Sequence, residues 1–203
     1  MINYKKYKFK DSDILHTKLI EENKIESLID QLNTNDINLF SVIQSSKRKK
    51  EFITSRILLN SYLNNKTFLI YENNKPILNN SKHISISHKD QELIIGINNM
   101  ITIGVDIEKI SDKILKIKSK FCNQKELLEL KKNESIEILT MLWSAKEATF
   151  KCLDNQENIY LKDISVTLIN NELGFSEIKG ERYLLDFKIH DGSYIICHSQ
   201  KEN

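Results

Sequence analysis

The sequence predicts an α+β protein whose helices and antiparallel strands occur in separate runs. Apolar residues recur with the helical period in the first third of the chain and again between residues 112 and 153. Short Ile-rich runs parted by polar turns lie between these regions and again near the end, and such runs are typical of strands. Because helices and strands do not alternate strictly, a doubly wound α/β fold is disfavoured.

The first 65 residues are expected to be mainly helical. The stretch KLIEENKIESLIDQL (18–32) spaces its Leu and Ile residues along one face of a helix. A second helix is predicted in SSKRKKEFITSRILLNSYL (45–63), where Ser45 or Ser46 is a suitable N-cap. The chain then changes from a helical period to a period of two.

Three consecutive Ile-rich runs predict an antiparallel meander, in KHISISH (82–88), ELIIGIN (92–98) and ITIGVDIE (101–108). They are parted only by KDQ and NNM, which are short polar connections typical of hairpins. Helical spacing returns between residues 112 and 153. Three more strands are predicted after it, in DISVTLI (163–169), RYLLDFKI (182–189) and SYIICHS (193–199).

Composition and charge disfavour several classes of protein. A chain of 203 residues suffices for one large domain or two closely packed small ones. A net charge of +2 is too small for a dedicated nucleic-acid binder. Three cysteines without Cys-x-x-Cys spacing argue against a disulfide framework and a zinc site of that type. The apolar runs are too short to span a membrane, and the N-terminus lacks an apolar signal segment, so we expect a cytoplasmic protein.

Two carboxylates share one face of the strand ITIGVDIE. Its period of two places Asp106 and Glu108 on the same side, about 7 Å apart along the strand. Two oxygen ligands at this spacing suit a hard divalent cation such as Mg²⁺. The alternative is a half-exposed strand with an ordinary polar face, and this pair alone does not decide between them.

Basic and hydroxyl residues upstream could bind phosphate. Ser87 and His88 end a predicted strand and could offer a hydroxyl and an imidazole. Arg48 and Arg56 are eight residues apart in the second helix, so their guanidinium groups could line one side of it. Lys75 lies in a turn before Pro76. Each of these residues could equally be an ordinary surface group.

The segment WSAKEATFK (143–151) combines an apolar helical stripe with an opposite polar face. Trp143, Glu147 and Lys151 fall on that polar face at intervals of four residues. An exposed Glu–Lys pair of small energetic value is the simplest interpretation. A large aromatic residue on the same face, however, requires cover from another element or a ligand.

Taken in order, these segments resemble the 4′-phosphopantetheinyl transferases of the surfactin-synthetase-activating type. The family pattern W-x-x-K-E-(A/S)-x-x-K is matched at every fixed position. The order and spacing of the segments between residues 47 and 151 carry the resemblance, in KRKKEFITSR, NKP, ISISH, IGVDIE, FCNQKE and WSAKEATFK.

The resemblance implies two similar α+β halves related by a pseudo-twofold axis, residues 1–101 and 102–203, with the active site in the cleft between them. It also implies transfer of the phosphopantetheine arm of coenzyme A to a serine of an apo acyl or peptidyl carrier protein. Adenosine 3′,5′-bisphosphate would be released. A monomer would suffice, and no nucleic acid or membrane is expected as a partner.

Residue roles follow from the same resemblance. Asp106, Glu108 and Glu147 would hold Mg²⁺, and Glu147 is also the candidate base. Lys151 would steady charge on the pyrophosphate of coenzyme A. Lys146 and Glu126 would support the site without chemistry of their own. The nucleotide end of coenzyme A would be bound by Lys75, Ser87, His88, Arg48 and Arg56.

One departure and two alternatives remain. The family often continues K-x-x-G-x-G after its last lysine, whereas this chain reads KCLDNQENIYL. The loop after Lys151 must therefore take another path. The chain could instead be a different Mg²⁺-dependent enzyme of nucleotide pyrophosphates, or a coenzyme A-binding scaffold without transferase activity. The segment SDKILKIKSKF (111–121) mixes apolar residues with four lysines and is a candidate docking surface for an acidic carrier.

Overall fold

Two antiparallel sheets organise the protein. The computed structural model describes residues 2–63, 68–73, 75–80, 82–131 and 134–202. Within these residues the strands are β1 (Lys5–Phe9), β2 (Ser12–Lys18), β3 (Leu69–Glu72), β4 (Lys75–Leu78), β5 (His83–Lys89), β6 (Glu92–Asn98), β7 (Ile103–Lys109), β8 (Ser165–Leu168), β9 (Leu173–Ile178), β10 (Glu181–His190) and β11 (Tyr194–Lys201). One sheet has the order β1-β2-β6-β5 and the other β7-β11-β10-β9-β8, while β3 and β4 form a separate pair.

The described helices confirm the α+β prediction. They are α1 (Thr34–Ser41), α2 (Ser46–Leu63), α3 (Lys118–Phe121), α4 (Gln124–Leu130) and α5 (Ile136–Cys152). Four 3₁₀ segments join them, at Glu22–Lys24, Glu26–Gln31, Asp112–Lys116 and Leu161–Asp163. The long helices α2 and α5 pack against different sheets, α2 on β6 and α5 on β7 and β11. No helix in the described ranges is both long and apolar enough to cross a bilayer.

The first third of the chain is less helical than expected. Residues 5–18 form the hairpin β1–β2, which turns at Lys10 with a positive φ of 49°. Because β2 is buried on both faces, its sequence does not alternate, and the strand pattern is hidden. The predicted helix at 18–32 is also wrong, since this segment forms 3₁₀ turns that bring Ile25 and Leu32 against α2.

Helix α2 confirms the second predicted helix. Its N-terminus is capped by Ser45, whose Oγ accepts a hydrogen bond of 3.4 Å from the backbone N–H of Arg48. Asn64 and Asn65, which close the region expected to be helical, lie outside the described residues, as does Asn74 of the NKP segment.

The predicted meander is correct for two strands and wrong for the third. β5 and β6 form an antiparallel hairpin, but β7 pairs with β11 of the other sheet, with Ile107 opposite Ile196. Local alternation predicts a strand but cannot show that its partner lies near the other end of the chain. The three terminal strands are confirmed as β8, β10 and β11, whereas β9 was not expected.

Strand β7 is packed on both faces. Val105 and Ile107 join Ile14, Ile94 and Ile196 in a core between the two sheets. The opposite face lies against α5, where a Cβ at Gly104 would come within 1.8 Å of the carbonyl oxygen of Ala148. Glycine is therefore required for the strand and the helix to approach this closely. This contact places the polar side chains of β7 beside those of α5.

Candidate active site

Asp106 is the centre of a polar cluster where β5, β7 and α5 meet. The residue is 3% exposed. One carboxylate oxygen, Oδ1, accepts hydrogen bonds from the hydroxyl of Ser87 at 2.8 Å and the ammonium of Lys151 at 2.9 Å. The other oxygen, Oδ2, is buried and has no hydrogen-bond partner within the described chain. A buried carboxylate oxygen without a partner is costly unless a ligand satisfies it.

Lys151 is oriented toward this carboxylate by the backbone. Its ammonium also donates to the carbonyl oxygen of Val105 at 3.0 Å. The side chain therefore reaches from the last turn of α5 across to β7. The predicted neighbour on the helix, Glu147, is not its ion-pair partner, because the ammonium lies on Asp106 instead.

Glu147 forms no hydrogen bond or ion pair with any side chain in the described ranges. Burial raises the pKa of its carboxyl group, and the negative charge of Asp106 raises it further. Lys151 opposes this shift, and Glu108 adds to it. The helix therefore presents a partly buried carboxylate whose charge is incompletely compensated by the protein.

Glu108 is the third carboxylate of the cluster. Its pKa is raised by burial first and by Asp106 second, while the ammonium of Lys89 lowers it. Lys89 lies 2.5 Å from one of its oxygens, and the indole N–H of Trp143 donates to the other at 3.1 Å. The mutual electrostatic influence of the three acids shows that α5 brings Glu147 into the field of the β7 pair.

This set of groups fits a hard divalent cation. Three carboxylates supply the oxygen ligands that Mg²⁺ prefers, and the unpartnered Oδ2 of Asp106 is an available ligand atom. Burial is the main cause of the raised pKa values of Glu108 and Glu147, and the negative charge of Asp106 adds to both. Lys89 and Lys151 now compensate part of that charge.

A cleft of about 530 Å³ opens beside Glu147 and Lys151. Lys75 and His88 line the same cleft, together with Lys82 and Gln156. Glu108 does not line it, and lies instead with Lys89 and Trp143 along an adjoining cavity of about 400 Å³. The cleft thus gathers five basic side chains, three of lysine and two of histidine, against two carboxylates, in keeping with a multiply charged anionic ligand.

Three predicted phosphate-binding residues have protein partners in this state. The ammonium of Lys75 donates to the carbonyl oxygens of Leu153 and Asp154 just after α5, at 2.9 Å for Asp154. The imidazole of His88 lies 3.2 Å from the carboxylate of Glu51 on α2, and burial lowers its pKa. Ser87 donates to Asp106. Each would exchange a protein partner for a phosphate oxygen.

The two predicted arginines do not share a surface. Arg48 is exposed near the start of α2, whereas Arg56 is 3% exposed. The guanidinium of Arg56 donates to the carboxylate of Asp36 at 3.1 Å and lies over the ring of Phe52 at 4.0 Å. Its charge is therefore already paired inside the N-terminal half, behind Tyr71, which lines the cleft.

Trp143 contacts both the core and Glu108. Its ring packs edge-on against Phe121 with centroids 5.1 Å apart, and its indole N–H orients Glu108. This contact provides the cover that a large aromatic residue requires on a polar face.

Lys146 faces the core from the opposite side of α5. It is fully buried, and its ammonium lies 2.8 Å from the carboxylate of Glu126. Glu126 also accepts the backbone N–H groups of Asn123 and Val166, so the pair ties α4, α5 and β8 together. These contacts fix the rotation of α5 and hence the direction in which Glu147 points.

Replacing Lys146 with Met is expected to lower the free energy of unfolding by about 3–5 kcal/mol, because the buried carboxylate of Glu126 loses its counter-ion. Urea denaturation measures the change. The double variant Lys146→Met/Glu126→Gln should recover part of the loss, since it removes the stranded charge. Equal destabilisation in the single and double variants would contradict a dominant charge effect.

The loop after Lys151 follows its own path. Helix α5 ends at Cys152, and the side-chain amide of Gln156 donates to the carbonyl oxygen of Phe150 at 2.8 Å. Together with the bonds from Lys75, this contact anchors the loop without the glycines that the sequence lacks. Asp154 and Gln156 consequently form one wall of the cleft.

Sequence reasoning missed Lys89. Its position two residues after Ser87 on β5 places both side chains on the same face of the strand, toward β7. Alternation along β5 could therefore have indicated a second cation beside the acidic pair. Tyr71 and Gln156 carried no comparable signal, because they reach the cleft from irregular or short segments.

Part of this chain is similar to known proteins. Residues 102–198 match the family model of the 4′-phosphopantetheinyl transferase superfamily. The predicted resemblance is confirmed. The matched range contains β7 and α5, and therefore Asp106, Glu108, Glu147 and Lys151.

One curated member of the superfamily is similar to this chain. The 4′-phosphopantetheinyl transferase gsp of Aneurinibacillus migulanus is 32% identical over 85 residues, which is 40% of this chain and 35% of that protein. The matched part of the chain thus spans about a third of the length of this relative. The chemistry proposed below is argued from the site, with this similarity as support.

Proposed function

We propose that the protein transfers the 4′-phosphopantetheine arm of coenzyme A to a serine of an acyl or peptidyl carrier protein, with release of adenosine 3′,5′-bisphosphate. One observation carries the proposal. Asp106 has an unpartnered, buried carboxylate oxygen beside Lys151, and Glu147 lies next to them at a cleft with several basic side chains. The match to the transferase superfamily supports the same reaction.

Asp106, Glu108 and Glu147 would hold Mg²⁺. When bound, the cation would neutralise negative charge on the pyrophosphate of coenzyme A. Side chains of the protein would provide the other contributions to the reaction. Lys151, already directed at the acidic cluster, can donate to a pyrophosphate oxygen as negative charge develops on the leaving group.

Glu147 is the proposed base. Its carboxylate is free of protein partners in the described ranges and lines the open cleft, so it can accept a proton from a serine hydroxyl directly or through water. Asp106 remains buried and fixes the position of Lys151.

The nucleotide end of coenzyme A is proposed to bind on the N-terminal side of the cleft. Lys75, His88 and Ser87 offer an ammonium, an imidazole and a hydroxyl to its phosphates. Exposed Arg48 can approach from the start of α2. We propose that Arg56 contributes less to this binding, since its guanidinium would have to leave Asp36 to reach a phosphate.

The chain is proposed to consist of two related halves, residues 1–101 and 102–203, with the site in the cleft between them. Each half contains one main sheet and one long helix, and this similarity of composition supports a pseudo-twofold relation. Because both walls of the cleft come from one chain, a monomer would be sufficient. A cytoplasmic location accords with coenzyme A and carrier proteins as partners.

Mass spectrometry tests the reaction. The purified protein is incubated with an apo carrier, coenzyme A and Mg²⁺, and the carrier is weighed before and after. A phosphopantetheine adduct is expected, and it should be absent without Mg²⁺. A control variant, Glu137→Gln in the first turn of α5, should retain the activity. No adduct with any of several fatty acid, polyketide and peptide carriers would overturn the proposal.

The segment 111–121 is proposed to steer the acidic carrier. Ile114 and Phe121 are buried in the core, so the apolar contribution to docking falls to exposed Leu115 and half-buried Ile117. Lys116 and Lys120 are exposed beside them. Charge therefore contributes more to this surface than the sequence alone indicates.

Reversing both charges, in Lys116→Glu/Lys120→Glu, is expected to raise the KM for an acidic carrier about tenfold at low salt with little change in kcat. The effect should shrink as ionic strength rises. Matched reversal of Lys8 and Lys10 on the β1–β2 hairpin serves as the control. An unchanged KM would exclude charge steering by this segment.

A further inference from the structure

A second cluster of metal-ligating side chains lies between the two sheets, apart from the cleft. His16 is on β2, Glu92 on β6 and His190 at the end of β10. All three are buried, with exposed fractions of 4%, 6% and 6%. Two of them belong to the four-stranded sheet and one to the five-stranded sheet, so the cluster bridges the two halves.

The three side chains converge. His16 Nε2 lies 2.7 Å from a carboxylate oxygen of Glu92. The imidazole rings of His16 and His190 meet edge to face with centroids 4.2 Å apart. One ligand atom from each residue can be chosen so that all three atoms lie within 4.8 Å of one another. In a tetrahedral zinc site, ligand atoms are separated by about 3.4 Å, so only small side-chain adjustments are needed.

One nitrogen of the cluster lacks a partner. His16 Nδ1 is buried and has no hydrogen bond within the described residues. A cluster that served only to satisfy its own hydrogen bonds would not leave this atom unpaired. Burial also lowers the pKa of His16, which favours the neutral imidazole that binds metal ions.

The surroundings resemble the outer shell of a metal site. The hydroxyl of Tyr7 lies 3.4 Å from His190 Nδ1, a contact that can fix the orientation of the ring. The carboxylate of Asp191 lies 3.2 Å from His190 Nε2 at the edge of the cluster. Glu92 and Asp191 together can balance the charge of a divalent cation.

We propose that His16, Glu92 and His190 bind a divalent cation of borderline softness, with Zn²⁺ the best suited, and that this cation links the two sheets. Two imidazoles and one carboxylate are ligands that zinc accepts, whereas Mg²⁺ disfavours imidazole. Three protein ligands leave a fourth position for water or a nearby oxygen. None of the three residues lines the catalytic cleft, so the proposal stands independently of the proposed function.

Cobalt titration of the metal-free wild-type protein tests the site directly. Excess Mg²⁺ is present to occupy the carboxylates around Asp106. We expect one equivalent of Co²⁺ to bind with the intense visible absorption of a four- or five-coordinate ion that has nitrogen ligands, and Zn²⁺ to displace it. Octahedral Co²⁺ of weak absorption, or no saturable binding, would overturn the proposal even if every variant failed to fold.

Variants then assign the ligands. His16→Gln, His190→Gln and Glu92→Gln should each weaken Co²⁺ binding at least tenfold, whereas His83→Gln, outside the cluster, should not. Zn²⁺ should raise the Tm of the wild-type protein, because a cation that binds only the folded protein stabilises it. It should leave the Tm of His190→Gln unchanged, because this variant lacks the ligand from the five-stranded sheet. Retention of wild-type binding by all three folded cluster variants would assign the cation to another site.

Discussion

Glu147→Gln is expected to lower kcat/KM for carrier modification by about 10²–10⁴-fold, the range for loss of a general base. Glutamine preserves the shape of the side chain but cannot accept the serine proton, and it is a weaker ligand for Mg²⁺. Mass spectrometry of the carrier at several time points measures the rate. Binding of coenzyme A should be reduced much less, since the basic groups proposed to bind its phosphates are unchanged in this variant.

The same substitution is expected to stabilise the metal-free protein. Burial and Asp106 raise the pKa of Glu147 above its usual value of 4.5, so the ionised carboxylate destabilises the folded state at neutral pH. Removing the charge removes that cost. The gain in Tm should be largest at neutral pH and should disappear once the pH falls below 4.5, where Glu147 is protonated in both states.

A loss of activity together with a gain in stability would identify Glu147 as a functional carboxylate rather than a structural one. Glu137→Gln, in the first turn of the same helix, serves as the matched control and should change neither by much. A Glu147→Gln variant with near wild-type activity would remove this residue from the mechanism. Loss of both activity and stability would indicate that the carboxylate holds the fold.

Gly104→Ala is expected to damage the fold and the site together. The added Cβ would come within 1.8 Å of the carbonyl oxygen of Ala148 and 2.8 Å of its carbon, and these backbone atoms cannot move aside by a rotamer change. Overpacking of this kind costs about 1–3 kcal/mol or more. Helix α5 must shift away from β7, and this shift separates Glu147 and Lys151 from Asp106.

A displacement of about 1 Å at a reacting centre can reduce the rate about 10²-fold, so activity should fall by at least that factor in the fraction that remains folded. Thermal denaturation and the carrier assay measure the two effects. Gly180→Ala is the control, because its φ of 80° strains alanine while no atom lies within 4 Å of the new Cβ. It should lower Tm slightly and leave the specific activity unchanged. Similar activity losses in both variants would contradict the packing argument.

Local sequence patterns predicted the side chains of the polar cluster around Asp106 well. The alternation of β7 put Asp106 and Glu108 on one face, and the helical period of α5 put Glu147 and Lys151 on another. Both periods are set by neighbouring residues along the chain, so tertiary packing does not change which side chains share a face. The alternative of an exposed pair between Glu147 and Lys151 does not hold, because the ammonium of Lys151 is paired with the buried carboxylate of Asp106 on another element.

Features that depend on distant partners could not be read from the sequence. The pairing of β7 with β11, the ion pair between Arg56 and Asp36, and the contact of Lys75 with the end of α5 each join separate parts of the chain. The buried strand β2 could not be recognised from the sequence for a related reason. Polar and apolar residues occur on both of its faces, so its sequence shows no period of two.

Strands β5 and β7 are the outer strands of their respective sheets, yet they lie beside each other in the middle of the molecule. They share no backbone ladder, and the Oγ of Ser85 accepts the backbone N–H of Val105 at 3.0 Å instead. Each strand thereby shields the other from pairing with a foreign chain. Separation of the halves would expose two such edges at once, so we expect loosened variants to aggregate as β-rich assemblies before they unfold completely.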